Sequence, residues 1–431
     1  MNRTYRSFSI TEPQQIKLQM LSWVNRFNIC CFLDDHNYKQ RGNRFDCILA
    51  ADSLEGMEAV PGKAFESLQL FHAEHSDWLF GHLSFELKAE TEGVASRYSE
   101  SIGFPGIHFY VPRYILQIND FNLTIGSIAE DHAEVFNQII NYEVTFGDKQ
   151  NQHPPITPRQ SKEQYIDSVN ALKQHILRGD CYELNYCQEF YCQPSFINPL
   201  RLFTSLQQVS PAPFSAYYRM NDLYCLSASP ERYLQKKGTR IMSQPIKGTR
   251  KRMIHEHDDK QIIAELLDSE KERAENVMVV DLVRNDISKI CREGTVQVDE
   301  LFAIYSFPQV HQMISTISGE LADDHTWCEA IEATFPMGSM TGAPKRRVLE
   351  LIDKYEASSR GLYSGAIGYI TPEGDFDFNV VIRSVLYNAS THYLNYHAGS
   401  AITFQSDADM EYEECLLKAA FIRNVLEAGD S

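Results

Sequence analysis

Gln244-Pro245-Ile246-Lys247-Gly248-Thr249-Arg250 sets a lysine between an apolar residue and a glycine, and the cations Arg250, Lys251 and Arg252 follow closely. Most lysines in folded proteins lie in solvent, so the residue taken alone predicts a surface charge. Its flanks are ordered. Upstream, Arg232 to Gln235 and Arg240 to Ser243 surround Gly238 and predict a hairpin. Downstream, Ser269-Glu270-Lys271-Glu272 has the spacing of a capping box and predicts a helix through about Asn285.

The same signals continue in both directions. Ser161 to Arg178 predicts a helix closed by Gly179, and Cys181 to Tyr191 a strand. Leu362 to Ala401 predicts several strands, broken at Pro372-Glu373-Gly374-Asp375 and at Asn388. A last helix is expected from near Ser406 to about Leu426. Before Gly147, short apolar runs such as Cys47 to Ala50 and Trp78 to Phe85 read as strands. The clearest seam is Gly147 to Gln160, polar and rich in proline. No glycine-rich loop follows a strand, so a dinucleotide-binding domain is not expected. The pattern is a mixed α/β chain with extensive sheet.

The chain has 431 residues, 43% hydrophobic, enough for a large core. Its net charge of −18 argues against a nucleic-acid partner. An anionic substrate would have to be met by a local group of cations. The ten cysteines include no C-x-x-C pair and suggest neither zinc nor a disulfide framework. With no apolar leader at Met1-Asn2-Arg3-Thr4-Tyr5 and no bilayer-length run, the expectation is a soluble, cytoplasmic protein away from membranes. Asn388-Ala389-Ser390 fits a glycosylation sequon but reads as a hairpin turn.

Several longer segments occur in a telling order. They are Ser229-Pro230-Glu231-Arg232, the lysine run, Arg273-Ala274-Glu275-Asn276 and Asp281-Leu282-Val283-Arg284-Asn285-Asp286. Then come Gly338-Ser339-Met340-Thr341-Gly342-Ala343-Pro344-Lys345, Gly365-Ala366-Ile367-Gly368-Tyr369, Ile382-Arg383 and Glu411-Tyr412-Glu413-Glu414. Together they resemble the chorismate-utilising enzymes, over about residues 160 to 425. Most of that superfamily has a small residue where Lys247 stands. A lysine there resembles the aminodeoxychorismate synthase component I branch, which aminates chorismate on the route to p-aminobenzoate and folate.

The resemblance implies an α+β fold of two large packed β-sheets flanked by helices. Residues 1–150 would form an N-terminal region packed into the same body, and 160–427 the chorismate-binding catalytic region. It implies that Lys247 attacks C2 of chorismate and expels the C4 hydroxyl, and that ammonia then enters at C4 and expels the lysine. Such a lysine must be neutral, so a pKa lowered by burial or by Arg250, Lys251 and Arg252 is expected. Glu231 matches the general acid and base and needs a raised pKa. His311 is given a supporting role, with a hydrogen-bonded core histidine as the alternative. Glu275 and Glu414 match magnesium ligands, with Glu272 and Glu411 one helical turn earlier. Glu272 serves equally well as the capping-box partner of Ser269. Arg383 and Tyr369 match contacts to the enolpyruvyl carboxylate. Thr341, Gly342, Gly399, Ser400 and Lys418 are the other expected substrate contacts. Ammonia would come from a glutamine amidotransferase subunit or from free ammonium.

Some positions depart from the family pattern. Ala401 stands where the family usually has glycine, a strain if the backbone there had φ > 0. Glu183 stands where amine-adding members usually have glutamine and isochorismate-forming members a water-activating lysine; a role in holding or deprotonating ammonia is one reading. The N-terminal region lacks the Leu-Leu-Glu-Ser motif with which many anthranilate synthases bind tryptophan. Ser210-Pro211-Ala212-Pro213-Phe214-Ser215 nevertheless resembles one wall of that pocket, which leaves a tryptophan there open. The rival readings are anthranilate synthase component I and a non-catalytic chorismate-binding subunit.

Overall fold

Alternation along the strands decides which side of the sheet each residue faces. Cys31, Ala50, Tyr218 and Cys225 pack into one core, with Phe80, Leu234, Ile367 and Phe378 opposite them. Their chain neighbours Cys30, Leu49, Tyr217 and Leu226 pack into a second core beneath helices Pro13–Val24, Lys162–Leu177, Pro199–Val209 and Ala408–Glu427. Each fully buried apolar side chain contributes about 1.5–3 kcal/mol, so a one-residue slip in any of these strands would be costly. The computed structural model describes residues 3–38, 42, 44–59, 62–144, 152–253, 255–307 and 310–427.

The named strands all pair antiparallel, in one 20-stranded network. The expected two packed sheets are two arms of that network. Two long strands, Cys47–Glu58 and Ile107–Asn119, belong to both arms and pair with a register shift between Ser53 and Glu55. One arm continues through Ile29–Asp34, Phe214–Met220, Leu223–Ser229, Ser384–Asn388, Tyr393–Ile402 and Glu183–Cys192. The other runs through Leu79–Leu83, Ala366–Ile370, Phe376–Val380, Arg232–Lys237, Arg240–Gln244 and Val310–Glu320, which also pairs with Ile246–Lys251 and Gln297–Ser306. Strands from the first 150 residues thus hydrogen-bond directly to strands from the rest. Of the seam, residues 147–151 lie outside the described residues, and Thr157–Pro158 pairs with Tyr191 and Phe190.

Local signals account for several boundaries. Ser161 and Gln164 form a reciprocal capping box, and Gly179 follows the helix at φ 81°. Gly238 turns the hairpin at φ 60°. Asn388 Oδ1 accepts the N–H groups of Ser390 and Thr391, so the sequon is a turn. Ala401 lies within the Tyr393–Ile402 strand opposite Asn185 and causes no φ > 0 strain. No helix among the described residues is long and apolar enough to cross a membrane.

Candidate functional site

The lysine run leaves its ladder where it matters. Ile246 pairs with Ile314 and Thr249 with Gln312, so Lys247 and Gly248 together face a single residue. This is a β-bulge, with Gly248 at φ 86°. A Cβ on Gly248 would meet Leu266 at 3.0 Å and the Glu272 carboxylate at 3.1 Å, so the position has little room for a side chain. The bulge turns Lys247 inward. Its Nζ donates to Glu183 Oε1 at 3.0 Å, with the two side chains 11% and 6% exposed.

Burial is the largest influence on Lys247 and pulls its pKa down, but the charges of Glu183, Glu275 and Glu231 outweigh it. The ammonium is held above the ordinary lysine range. This corrects the expectation of a lowered pKa. The neighbouring cations are used elsewhere: Arg250 pairs with Glu272 at 3.1 Å and Arg252 with Asp259 at 2.8 Å. Glu231 behaves as expected. Burial pushes its carboxyl up to about 7, against a hydrogen bond from Ser339 and the charge of Lys247. Ser229 Oγ accepts its N–H at 3.2 Å, and its carbonyl accepts Val380 N–H at 3.0 Å.

Helix Glu270–Ser288 brings the next carboxylates. Ser315 Oγ donates to buried Asn276 at 2.6 Å, and Ser315 N–H donates to the Pro245 carbonyl at 3.2 Å, which ties the helix to the lysine run. Glu275 is buried beside Lys247, and burial pushes its carboxyl up to about 7. Its Oε1 has no hydrogen-bond partner among the described residues. Helix Ala408–Glu427 packs on strand Tyr393–Ile402. Ser400 Oγ donates to Glu411 at 2.5 Å, while Lys418 Nζ bonds the Gly399 carbonyl at 3.1 Å and Glu414 at 2.8 Å. Lys271 Nζ lies 3.8 Å from both Glu275 and Glu411 and so stands between the two carboxylate pairs. Ser269 Oγ caps the Glu272 N–H, but the Glu272 carboxylate reaches Arg250 and does not complete the box.

All-oxygen donors of this kind suit magnesium, and the buried oxygen of Glu275 that accepts no hydrogen bond among the described residues fits a cation. Among the described residues no three candidate ligands already form a metal cluster. Lys271 occupies part of the charge that a metal would neutralise.

The loop Gly338–Thr341 lies on strand Glu183–Cys192. Thr341 accepts Asn185 N–H at 2.8 Å, and Gly342 approaches so closely that a Cβ would stand 2.1 Å from the Glu183 carbonyl. Buried Arg360 holds both sides, bonding the Met340 and Asn185 carbonyls at 2.8 Å. Arg383 adjoins the Glu231 segment, since Ala228 N–H donates to its carbonyl at 3.1 Å. It sits at φ 53°, and burial pulls its guanidinium below the usual range. No carboxylate among the described residues pairs with it.

Two expected site residues lie elsewhere. Tyr369 packs against Trp78, Phe80 and Phe45, at 5.5, 5.8 and 6.1 Å between ring centroids. Strand alternation points it into a separate cavity of about 60 Å³, lined also by Asp34, Phe45, Pro213, Phe214 and Ser215. It is therefore withdrawn as a partner of Arg383, and the Ser210–Ser215 segment does contribute a pocket wall. His311 is fully buried, with Nε2 2.9 Å from Asp259 Oδ1 and Nδ1 2.8 Å from Ser306 Oγ. Both nitrogens are engaged, which favours the core-histidine reading.

Sequence reasoning missed Lys271, although its place four residues before Glu275 is the spacing of a helical ion pair. It also missed Ser339, inside a quoted segment, and the contact of Glu183 with Lys247, which are 64 residues apart.

A family model described as chorismate binding enzyme matches residues 29–424. The chain belongs to the chorismate binding enzyme family. Within that family it is 37% identical over 276 residues to the "Aminodeoxychorismate synthase" of Streptomyces griseus, covering 64% of this chain and 38% of that protein. It is also 37% identical over 288 residues to "Anthranilate synthase component 1 1" of Haloarcula marismortui, covering 65% of this chain and 58% of that protein. The chain thus spans well under two thirds of either relative. The chorismate-binding fold is shared with the crystal structure of anthranilate synthase component I from Streptococcus pneumoniae TIGR4, at TM-score 0.78 and 23% identity, covering 89% of this chain and 93% of that one.

Proposed function

We propose that this chain aminates chorismate at C4, giving 4-amino-4-deoxychorismate, the precursor of p-aminobenzoate. The observation that carries the reading is Lys247, turned inward on a bulge with its side chain 11% exposed and set beside Glu231, whose carboxyl lies at about 7. A binding protein needs no such pair. Direct attack by ammonia or water does not need a primary amine here either, whereas covalent displacement does.

The residues divide the work. Glu231 is protonated in a useful fraction of molecules near neutral pH and gives its proton to the departing C4 oxygen. Lys247 forms the bond to C2 as the C4–O bond breaks. Ammonia then bonds to C4 as the C2–N bond breaks, so the lysine is regenerated. Arg383, half-buried and paired with no carboxylate among the described residues, receives a substrate carboxylate, and Lys418 with the Gly399–Ser400 segment borders the other side. Glu275 and Glu414 would hold magnesium, with Glu272 and Glu411 behind them. The ion would supply positive charge for a carboxylate of the dianion. Ammonia comes from a separate glutamine amidotransferase subunit or from free ammonium. The free cysteines suit a reducing cytoplasm.

The competing chemistry is C2 amination with loss of pyruvate, as in anthranilate synthases. One incubation separates the two. Chorismate, magnesium and ammonium are supplied, and the product is identified by mass spectrometry. Aminodeoxychorismate without pyruvate is expected. Anthranilate with pyruvate refutes the reading, and no turnover at any ammonium concentration points to a binding subunit.

A further inference from the structure

The displacement needs Lys247 without its proton, and Nζ donates a hydrogen bond to a carboxylate that can take it. Three carboxylates face it, from three elements: Glu183 from strand Glu183–Cys192, Glu275 from helix Glu270–Ser288, and Glu231 from the turn before strand Arg232–Lys237. Among the described residues, Glu183 is the one hydrogen-bonded to Nζ, at 3.0 Å. Its other oxygen, Oε2, is buried and has no partner among them, so the group is committed to no other donor. Its backbone is fixed by the close approach of Gly342, whose loop pairs with Glu183 and Leu184.

We propose that Glu183 is the base that takes the proton from Lys247 as Nζ attacks C2, and that gives it back when ammonia expels the lysine. The inference rests on the proposed C4 amination. In the first half, a proton passes from Nζ to Glu183, the Nζ–C2 bond forms and the C4–O bond breaks. The Glu231 proton leaves with that oxygen as water. In the second half, the bond from ammonia to C4 forms and the Nζ–C2 bond breaks. The new C4 ammonium returns a proton to Glu231, and Glu183 returns its own to Nζ. The sum is chorismate plus ammonia giving aminodeoxychorismate plus water, with each residue restored. Glu183 therefore serves the lysine, and the reading in which it deprotonates ammonia is set aside.

The test withholds ammonia and follows the mass increase on Lys247 by rapid-quench mass spectrometry, from pH 6 to 9. The wild-type chain should form the adduct at a rate that is level below about pH 7 and declines above it, as Glu231 loses the proton it must donate. Glu183→Gln, isosteric and the residue usual here in amine-adding relatives, should form it about 10²-fold more slowly at pH 7, the low end for loss of a positioned base. Relative to the wild type at the same pH, its rate should climb about tenfold per pH unit, because it draws on the small fraction of lysine that is already neutral. Glu183→Asp, which keeps a carboxylate, should retain the wild-type profile at a reduced rate. The proposal is overturned if Glu183→Gln matches the wild type, or if it is slower with an unchanged pH profile, as a merely structural residue would be. If the wild type itself forms no adduct, and releases anthranilate once ammonium is supplied, the C4 reading fails first and distinguishably.

Discussion

Replacing Glu231 by glutamine should make the protein more stable and inactive at once. The carboxyl is 5% exposed and burial pushes it from 4.5 to about 7. At about 1.4 kcal/mol per pH unit, ionising it in the folded protein costs about 3 kcal/mol. The sign follows from the direction of the change. Below pH 4.5 the group is protonated both folded and unfolded, and there is no cost. Between 4.5 and about 7 the unfolded chain releases its proton while the folded one keeps it, so stability falls as pH rises. Above about 7 the full cost is present. Glutamine never ionises and escapes it. Urea denaturation of Glu231→Gln should therefore match the wild type near pH 4.5 and exceed it by about 3 kcal/mol at pH 8.5. In a chain of 431 residues that corresponds to about 3 °C in Tm. Ammonia-dependent turnover should fall by about 10²-fold or more, since the proton donor is gone. A stability difference that does not change with pH would refute the argument. So would a glutamine variant that still turns over at the wild-type rate.

Three further outcomes follow from the same geometry. Arg383→Gln should raise KM for chorismate about 30-fold, equivalent to about 2 kcal/mol for a lost charged hydrogen bond, and should leave the empty protein at least as stable as before by thermal melt, since burial disfavours the guanidinium's charge. Magnesium affinity measured by calorimetry should rise as pH increases toward 7 and level off above, because Glu275 must lose its proton to bind and its carboxyl lies at about 7. Glu275→Gln should bind weakly at every pH. Tyr369→Phe should leave kcat and KM within about twofold, since its ring faces the separate aromatic cavity; a tenfold rise in KM would restore it to the chorismate site.

Much of the chain could be read locally. The capping box at Ser161, the turn at Gly238 and the final helix are written in a few adjacent residues, and they stand about where the sequence put them. Glu231, Glu275, Glu414 and Lys247 come together because each belongs to a segment with its own recognisable pattern. What could not be read depends on distant partners. The raised pKa of Lys247 comes from Glu183 and Glu275, one far upstream and one on a helix that packs across the bulge. The direction of Tyr369 depends on strand phase, and one step along the strand reverses the side chain. The bending of Cys47–Glu58 and Ile107–Asn119 across both arms rests on register, which no single run of residues states.

The bulge at Lys247 and Gly248 has a further consequence. Those residues stand outside the regular ladder, and Lys247 fills neither hydrophobic core. Apolar packing therefore asks nothing of the side chain at 247; what folding asks of it is the charge that balances Glu183. A scaffold arranged in this way can exchange one catalytic strategy for another without repacking its cores, provided the facing carboxylate changes with the lysine. Diversity of reaction within such a family can thus accumulate at one address while the architecture stays still.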